Sequence, residues 1–255
     1  MSTIVTIGNF ELKWYSFLIL ISFILGSIIV YIQIKKLDLD KNTIIDFLFY
    51  LILFAIIGAR IYYVIFNLNY YLKYPLEIIK VWEGGLAIHG GILAGLLYLF
   101  YFCKKRKIDI LKITDVIVPA LSIGQAIGRW GNFFNQEAFG PVVEYSTLKS
   151  MHLPNSIIEG MYIDNNYHYP TFLFESIWCF IIFIVIIILI MFKKQKKGLN
   201  TSIYLIMYGL ERFIIESMRQ DSLMLFNIKV AQIVSIIMIL FGIIILINER
   251  RKKYD

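Results

Sequence analysis

Seven stretches of the chain are apolar at almost every position, roughly residues 15–34, 43–66, 85–103, 113–128, 172–192, 202–219 and 229–247. A helix needs about 20 such residues to cross the hydrocarbon core of a bilayer. The pattern therefore predicts an all-α integral membrane protein with seven transmembrane helices. A chain that is 59% hydrophobic, with a mean hydropathy of +0.72, lies well above a soluble globular composition.

Charge placement predicts the orientation of those helices. Lys35, Lys36 and Lys41 follow the first span, Lys104, Lys105, Arg106, Lys107 and Lys112 the third, Lys193, Lys194, Lys196 and Lys197 the fifth, and Arg250, Arg251, Lys252 and Lys253 the seventh. Every second connection is basic, as the positive-inside rule requires of cytoplasmic segments. The amino terminus is then outside and the carboxyl terminus cytoplasmic. The net charge of +7 is accounted for by topology and by attraction to anionic headgroups, which excludes a nucleic-acid footprint.

Residues 1–255 read as a single transmembrane domain, with residues 129–171 as a small external cap of loops after the fourth span, polar and marked by Pro141, Pro154, Asn155, Asn165 and Asn166. The first span follows Glu11 and Lys13 rather than a basic run, and no small-residue cleavage site follows it, so it reads as a retained helix. The two cysteines, Cys103 and Cys179, form neither a disulfide framework nor a metal-ligand pattern.

Ionisable residues inside spans are costly, about 2.5 to 3.5 kcal/mol each on insertion scales, and mark function by default. Here they gather at one depth. Arg60 lies in the outer half of the second span, Glu83 and His89 at the external start of the third, Arg129 at the end of the fourth and Glu175 at the start of the fifth. In the sixth, Tyr208, Arg212, Glu216 and Arg219 are spaced to share one helical face. A self-neutralising stripe would explain the sixth span alone. Set beside Arg60, His89 and Arg129, the cluster reads as unpaired positive charge suited to an anion. Gly90 and Gly91 after His89 suggest room for a ligand, whereas Gly124 and Gly128 suggest close helix packing. His152 and His168 read as surface-loop histidines.

The stretch "GRWGNFFNQEAFG", residues 128–140, is similar to the signature of the prolipoprotein diacylglyceryl transferases of bacteria, matched at Gly128, Arg129, Gly131, Asn132, Phe133, Asn135, Glu137 and Gly140. The resemblance extends to His89-Gly90-Gly91, to Tyr208, Arg212, Phe213, Glu216 and Arg219, and to Trp14-Tyr15 and Gly58–Arg60. It departs at "YPTFLFE", where Tyr169, Phe172 and Phe174 stand in place of the family's His, Gln and Tyr.

The resemblance implies transfer of the diacylglyceryl group of phosphatidylglycerol to the lipobox cysteine of a prolipoprotein, with glycerol phosphate leaving, in the bacterial inner (plasma) membrane and toward its outer face. It implies no cofactor and no metal. The thiol comes from the substrate, so neither Cys103 nor Cys179 is needed as nucleophile. His89, Arg129 and Arg212 are the expected catalytic residues, the histidine taking or relaying the thiol proton and the arginines holding the phosphate. Tyr15, Arg60, Asn132, Glu137, Gly140, Tyr208, Glu216 and Arg219 are expected around the substrate. The rival reading, a transporter or channel for an anionic solute, would need polar groups continuing into the inner halves of the spans, which are almost purely apolar.

Overall fold

The computed structural model describes residues 3–7, 10–34, 41–192, 196–219, 224–226 and 228–251. Lys35, Lys36, Lys193, Lys194, Lys252 and Lys253, together with the side chains of Lys41, Glu83, Arg250 and Arg251, lie outside the described residues. A hairpin of β1 (Thr3–Ile7) and β2 (Phe10–Lys13) leads into α1 (Trp14–Ile34), followed by α2 (Lys41–Phe66) and the single turn α3 (Leu68–Tyr71). Next come α4 (Ile88–Arg106) and α5 (Ile110–Asn135), then a run of short elements: β3 (Val142–Val143), α6 (Tyr145–Ser150), α7 (Asn155–Gly160), β4 (Tyr162–Ile163) and β5 (Asn166–His168). Helices α8 (Thr171–Phe192) and α9 (Leu199–Met218), the hairpin strands β6 (Met224–Leu225) and β7 (Ile228–Lys229), and α10 (Val230–Arg251) complete the chain.

Five of these helices are long and apolar enough to cross a membrane, at Trp14–Gln33, Asn42–Phe66, Ile110–Asn135, Thr171–Met191 and Val230–Glu249. The other two expected spans are also helices, of 19 and 20 residues. Their apolarity is diluted, in α4 by Lys104, Lys105 and Arg106 in the last turn and in α9 by Glu211, Arg212 and Glu216.

Two compact units form, residues 1–32 with 114–255 and residues 33–113. In the second, α2 packs against α4 through small residues. A Cβ on Gly58 would overlap Ala94 and the Gly90 carbonyl, and one on Gly90 would overlap Tyr62 and the Gly58 carbonyl. Gly90 therefore serves close helix approach, not the ligand space expected beside His89. Near this crossing Phe47 stacks on Tyr98 with centroids 5.9 Å apart and meets Phe102 at a tilt, 4.6 Å away.

In the larger unit α8 packs on α9 and α9 on α10. Val118, Ile182, Ile186 and Tyr204 form its buried apolar centre. Pro119 lies inside α5 and has no N–H, so the carbonyl of Asp115, four residues earlier, lacks its helical donor. The Asn200 amide replaces it at 3.3 Å. The Asp115 carboxylate in turn accepts from the Gly198 N–H at 2.5 Å, the Thr201 N–H at 2.8 Å and the Thr201 hydroxyl at 2.7 Å. A buried aspartate from one helix thus caps the amino terminus of another, satisfying donors that α9 leaves open and opposing its dipole.

Helix α5 runs on to Asn135, seven residues past the expected end of the apolar run, so Arg129, Asn132 and Asn135 sit on helical turns rather than in a loop. It stops in a Schellman arrangement. Gln136 takes a left-handed φ of 52°, its N–H bonds the Phe133 carbonyl at 3.1 Å, and the Glu137 N–H bonds that of Asn132 at 3.0 Å. The polar segment beyond is more than a set of loops: β3, β5 and β4 form a small antiparallel sheet over an apolar cluster of Leu148, Ile158, Met161, Ile163 and Phe172. His168 belongs to that structure and not to the surface. It is 4% exposed, with Nδ1 at 2.9 Å from the Gly140 carbonyl and its ring 4.3 Å from Phe139. His152 is exposed, as expected.

Asp115→Ala removes the acceptor for three buried donors. The variant should unfold with a loss of about 2 kcal/mol or more, the cost of unsatisfied buried donors. Thermal unfolding in detergent should show a lowered Tm, with Asp115→Asn falling between.

Candidate active site

The larger unit gathers charged side chains from three helices. Arg129, on the last turns of α5, places its Nε against Oε2 of Glu175 in the second turn of α8. Arg212 of α9 reaches the other oxygen of the same carboxylate, Nη1 to Oε1 at 3.6 Å, and holds Glu216 one turn along with Nη2 to Oε2 at 2.7 Å. Glu175 is 1% exposed, whereas the side chains of Arg129 and Arg212 keep 17% and 20% of their surface open. The Glu175 oxygens make no aligned hydrogen bond to these guanidiniums, so the contacts are ion pairs rather than forked bidentate bonds.

The frame around the pair is rigidly bonded. Ser176, next to Glu175, donates to the Ala126 carbonyl at 2.8 Å and accepts from the Trp130 indole at 3.2 Å. The Thr171 hydroxyl donates to the Ala138 carbonyl at 2.7 Å. The Asn132 amide donates to Oε1 of Glu137 at 2.9 Å and that of Asn135 to the same oxygen at 3.4 Å, folding Glu137 back over the helix end. A Cβ on Gly131 would strike the Tyr15 ring, so Tyr15 lies directly on the α5 backbone two residues from Arg129. Beside it Trp14 stacks on Phe134 at 4.8 Å.

Gly140 is held where no side chain would fit, its N–H on the Tyr169 carbonyl at 3.0 Å and a Cβ blocked by Tyr169 and Thr171. Tyr208 stacks on Tyr204 at 5.4 Å and lies near enough to Arg129 and Arg212 to feel both charges. Arg219 closes α9, where the Lys229 ammonium donates to the carbonyls of Glu216 at 2.6 Å and Arg219 at 2.8 Å.

Over residues 2–248 the sequence matches the profile of the family described as prolipoprotein diacylglyceryl transferase. A relative from Staphylococcus xylosus, named phosphatidylglycerol–prolipoprotein diacylglyceryl transferase, is 45% identical over 249 residues, 97% of this chain and 88% of its own length. Proteins of the same name from Staphylococcus saprophyticus and Staphylococcus aureus are 44% identical over 250 residues, 98% of this chain and 89% and 88% of theirs.

The chain belongs to the prolipoprotein diacylglyceryl transferase family.

Of the site residues expected for a member of this family, Arg129, Arg212, Glu216 and Tyr208 meet around Glu175, Asn132 bonds Glu137, and Tyr15 packs on Gly131. The positive charge is not unpaired as its sequence pattern suggested: Glu175 and Glu216 answer it. Arg60 and His89 belong to the smaller unit. There Arg60 is 7% exposed and donates to the carbonyls of Glu77, Ile78, Lys80, Gly84 and Gly85 at 2.5 to 3.4 Å, over the Tyr71 ring at 5.2 Å.

Arg60 thereby shapes one wall of a cavity of about 400 Å³ that also includes Tyr63, Asn67 and Tyr70. The Tyr70 hydroxyl donates to Glu77 at 2.5 Å, which pushes its pKa up to about 12. His89, exposed on the first turn of α4, faces Tyr62 with ring centroids 6.2 Å apart. Two members of the charged cluster were not among the expected site residues, Glu175 and Glu211. Glu211 is three residues from Tyr208 and could have been read on the same helical stripe.

Glu175→Ala would leave two guanidiniums facing a buried void and should cost about 3–5 kcal/mol. Glu216→Ala, which leaves Arg212 with Glu175, should cost less. Unfolding curves for the two variants in one detergent test the order.

Proposed function

We propose that this chain transfers the diacylglyceryl group of phosphatidylglycerol to the lipobox cysteine thiol of prolipoproteins, the activity for which its relatives are named. The observation that carries the reading is the convergence of Arg129 and Arg212 on one buried carboxylate, with 17% and 20% of the two arginine side chains exposed. A phosphodiester suits these arginines, since its two non-bridging oxygens can meet one guanidinium each, as the two oxygens of Glu175 do. Five long apolar helices support a multi-pass membrane protein. In our reading α4 and α9 cross as well, making seven spans of one transmembrane domain, with the amino terminus outside and residues 129–171 as an external cap. The site then opens to the outer face of the plasma membrane.

In the reaction the cysteine sulfur attacks the glycerol carbon bonded to the phosphate oxygen. A C–S bond forms, the C–O bond breaks, and the electron pair leaves with glycerol phosphate, which gains a second negative charge. Arg129 and Arg212 stabilise that growing charge. The thiol proton is taken or relayed by His89. Asn132, Glu137 and Glu216 hold the arginines in place, while Tyr15 and Tyr208 position the headgroup. Gly140 lets Tyr169 and Thr171 approach closely at the edge of the site, Arg60 shapes its own loop, and Arg219 ends the charged face of α9. The nucleophile is the substrate's, so the chemistry calls for no cofactor.

Purified protein mixed with phosphatidylglycerol and a lipobox peptide should add one diacylglyceryl mass to the peptide cysteine and release glycerol phosphate. Arg129→Ala should lower kcat by about 10²–10³-fold, the scale of losing one preorganised charge-stabilising donor. No mass gain from folded wild-type protein would remove the reading. His89→Gln should cost about 10²-fold or more if the imidazole moves the proton. Near-wild-type turnover in that variant would discard the histidine role and keep the arginine one.

A further inference from the structure

The charges around Glu175 do not balance. Glu175, Glu211 and Glu216 bring three carboxyls to two guanidiniums, Arg129 and Arg212. Glu211 is the member without a counter-charge. It is 4% exposed, both of its oxygens are enclosed, and among the described residues neither has a hydrogen-bond partner or an ion pair.

Its neighbours on every side can be named. Helix α8 presents Glu175 and Cys179, α5 presents Arg129, and α9 itself contributes Tyr204, Tyr208 and Arg212. Helix α10, packed on α9, carries no titratable side chain before Glu249. Lys229, at the far end of α9, is engaged by the carbonyls of Glu216, Ser217 and Arg219. With every group ionised the cluster would hold one uncompensated negative charge in a medium that cannot solvate it. It would also repel the phosphodiester that the two arginines are there to receive.

We propose that Glu211 holds a proton whenever phosphatidylglycerol is bound, so that lipid binding is coupled to that proton. The proposal rests on the assignment of Arg129 and Arg212 as the phosphate ligands. With the proton on Glu211 the cluster is neutral, and the phosphodiester exchanges with Glu175 for the guanidiniums. Without it the same exchange leaves an extra negative charge beside the phosphate. Glu211 acts through the arginines and is a positioning residue, not a catalytic one.

The test is the KM for phosphatidylglycerol, at saturating lipobox peptide, from about pH 6.5 to 9 in wild type and Glu211→Gln, a window that spans the thiol's own titration in both proteins. In wild type KM should rise toward high pH, approaching about tenfold per pH unit once Glu211 has lost its proton in the lipid-free protein, as linkage of binding to one proton requires. Glu211→Gln, which cannot ionise, should show no rise. The same rise in both proteins, or none in wild type, overturns the proposal.

A measurement on wild type alone covers a variant that fails to fold. Calorimetric titration with phosphatidylglycerol near pH 8.5, in two buffers of unlike ionisation heat, should report uptake of up to about one proton. No uptake overturns the coupling. Turnover that survives Arg129→Ala overturns the phosphate assignment and this proposal with it, whereas parallel pH profiles overturn the proposal alone.

Discussion

One buried carboxylate organises the charged centre of this protein. Glu175 is enclosed almost completely, and Arg129 from α5 and Arg212 from α9 approach its two oxygens. Neither arginine could be carried into an apolar bundle alone. The pairing thus does two things. It lets three helices bring charge together at low cost, and it holds two guanidiniums against the two oxygens of one carboxylate.

Much of the surrounding structure fixes where those three helices end. Bonds from Ser176 and Thr171 pin the start of α8 to the end of α5, and the Trp130 indole reinforces them. The Schellman turn after Asn135 folds Glu137 onto Asn132. Helix α9 is held at both ends, by Asp115 at its amino terminus and by Lys229 at its carboxyl terminus. In the proposed reaction these arginines meet a developing charge, and a displacement of about 1 Å there would cost orders of magnitude in rate.

The long apolar runs made the main helices legible, because lipid-facing segments must be apolar along their whole length and must satisfy their backbone internally. The stripe Tyr208, Arg212 and Glu216 was legible for a similar reason: polar groups in a span are rare enough that their spacing carries information. Other features depend on contacts distant in sequence. That Gly90 meets Gly58 on another helix, or that His168 is buried against Gly140 and Phe139, has no local signal. The continuation of α5 through Arg129 to Asn135 was hidden by the change from apolar to polar composition, although helix geometry does not stop where hydrophobicity does. Phe172, which departs from the family pattern, is explained by tertiary packing: it stacks on Phe133 at 4.7 Å inside the cap's apolar cluster.

The account stands on the phosphate of the lipid donor replacing Glu175 as the partner of Arg129 and Arg212. An experimental structure of the full chain in lipid nanodiscs containing phosphatidylglycerol measures this directly. The expected result is a phosphate oxygen within about 3 Å of a nitrogen on each arginine, the separation of a charge-assisted hydrogen bond. A headgroup bound elsewhere, with both arginines still closed on Glu175, would contradict it.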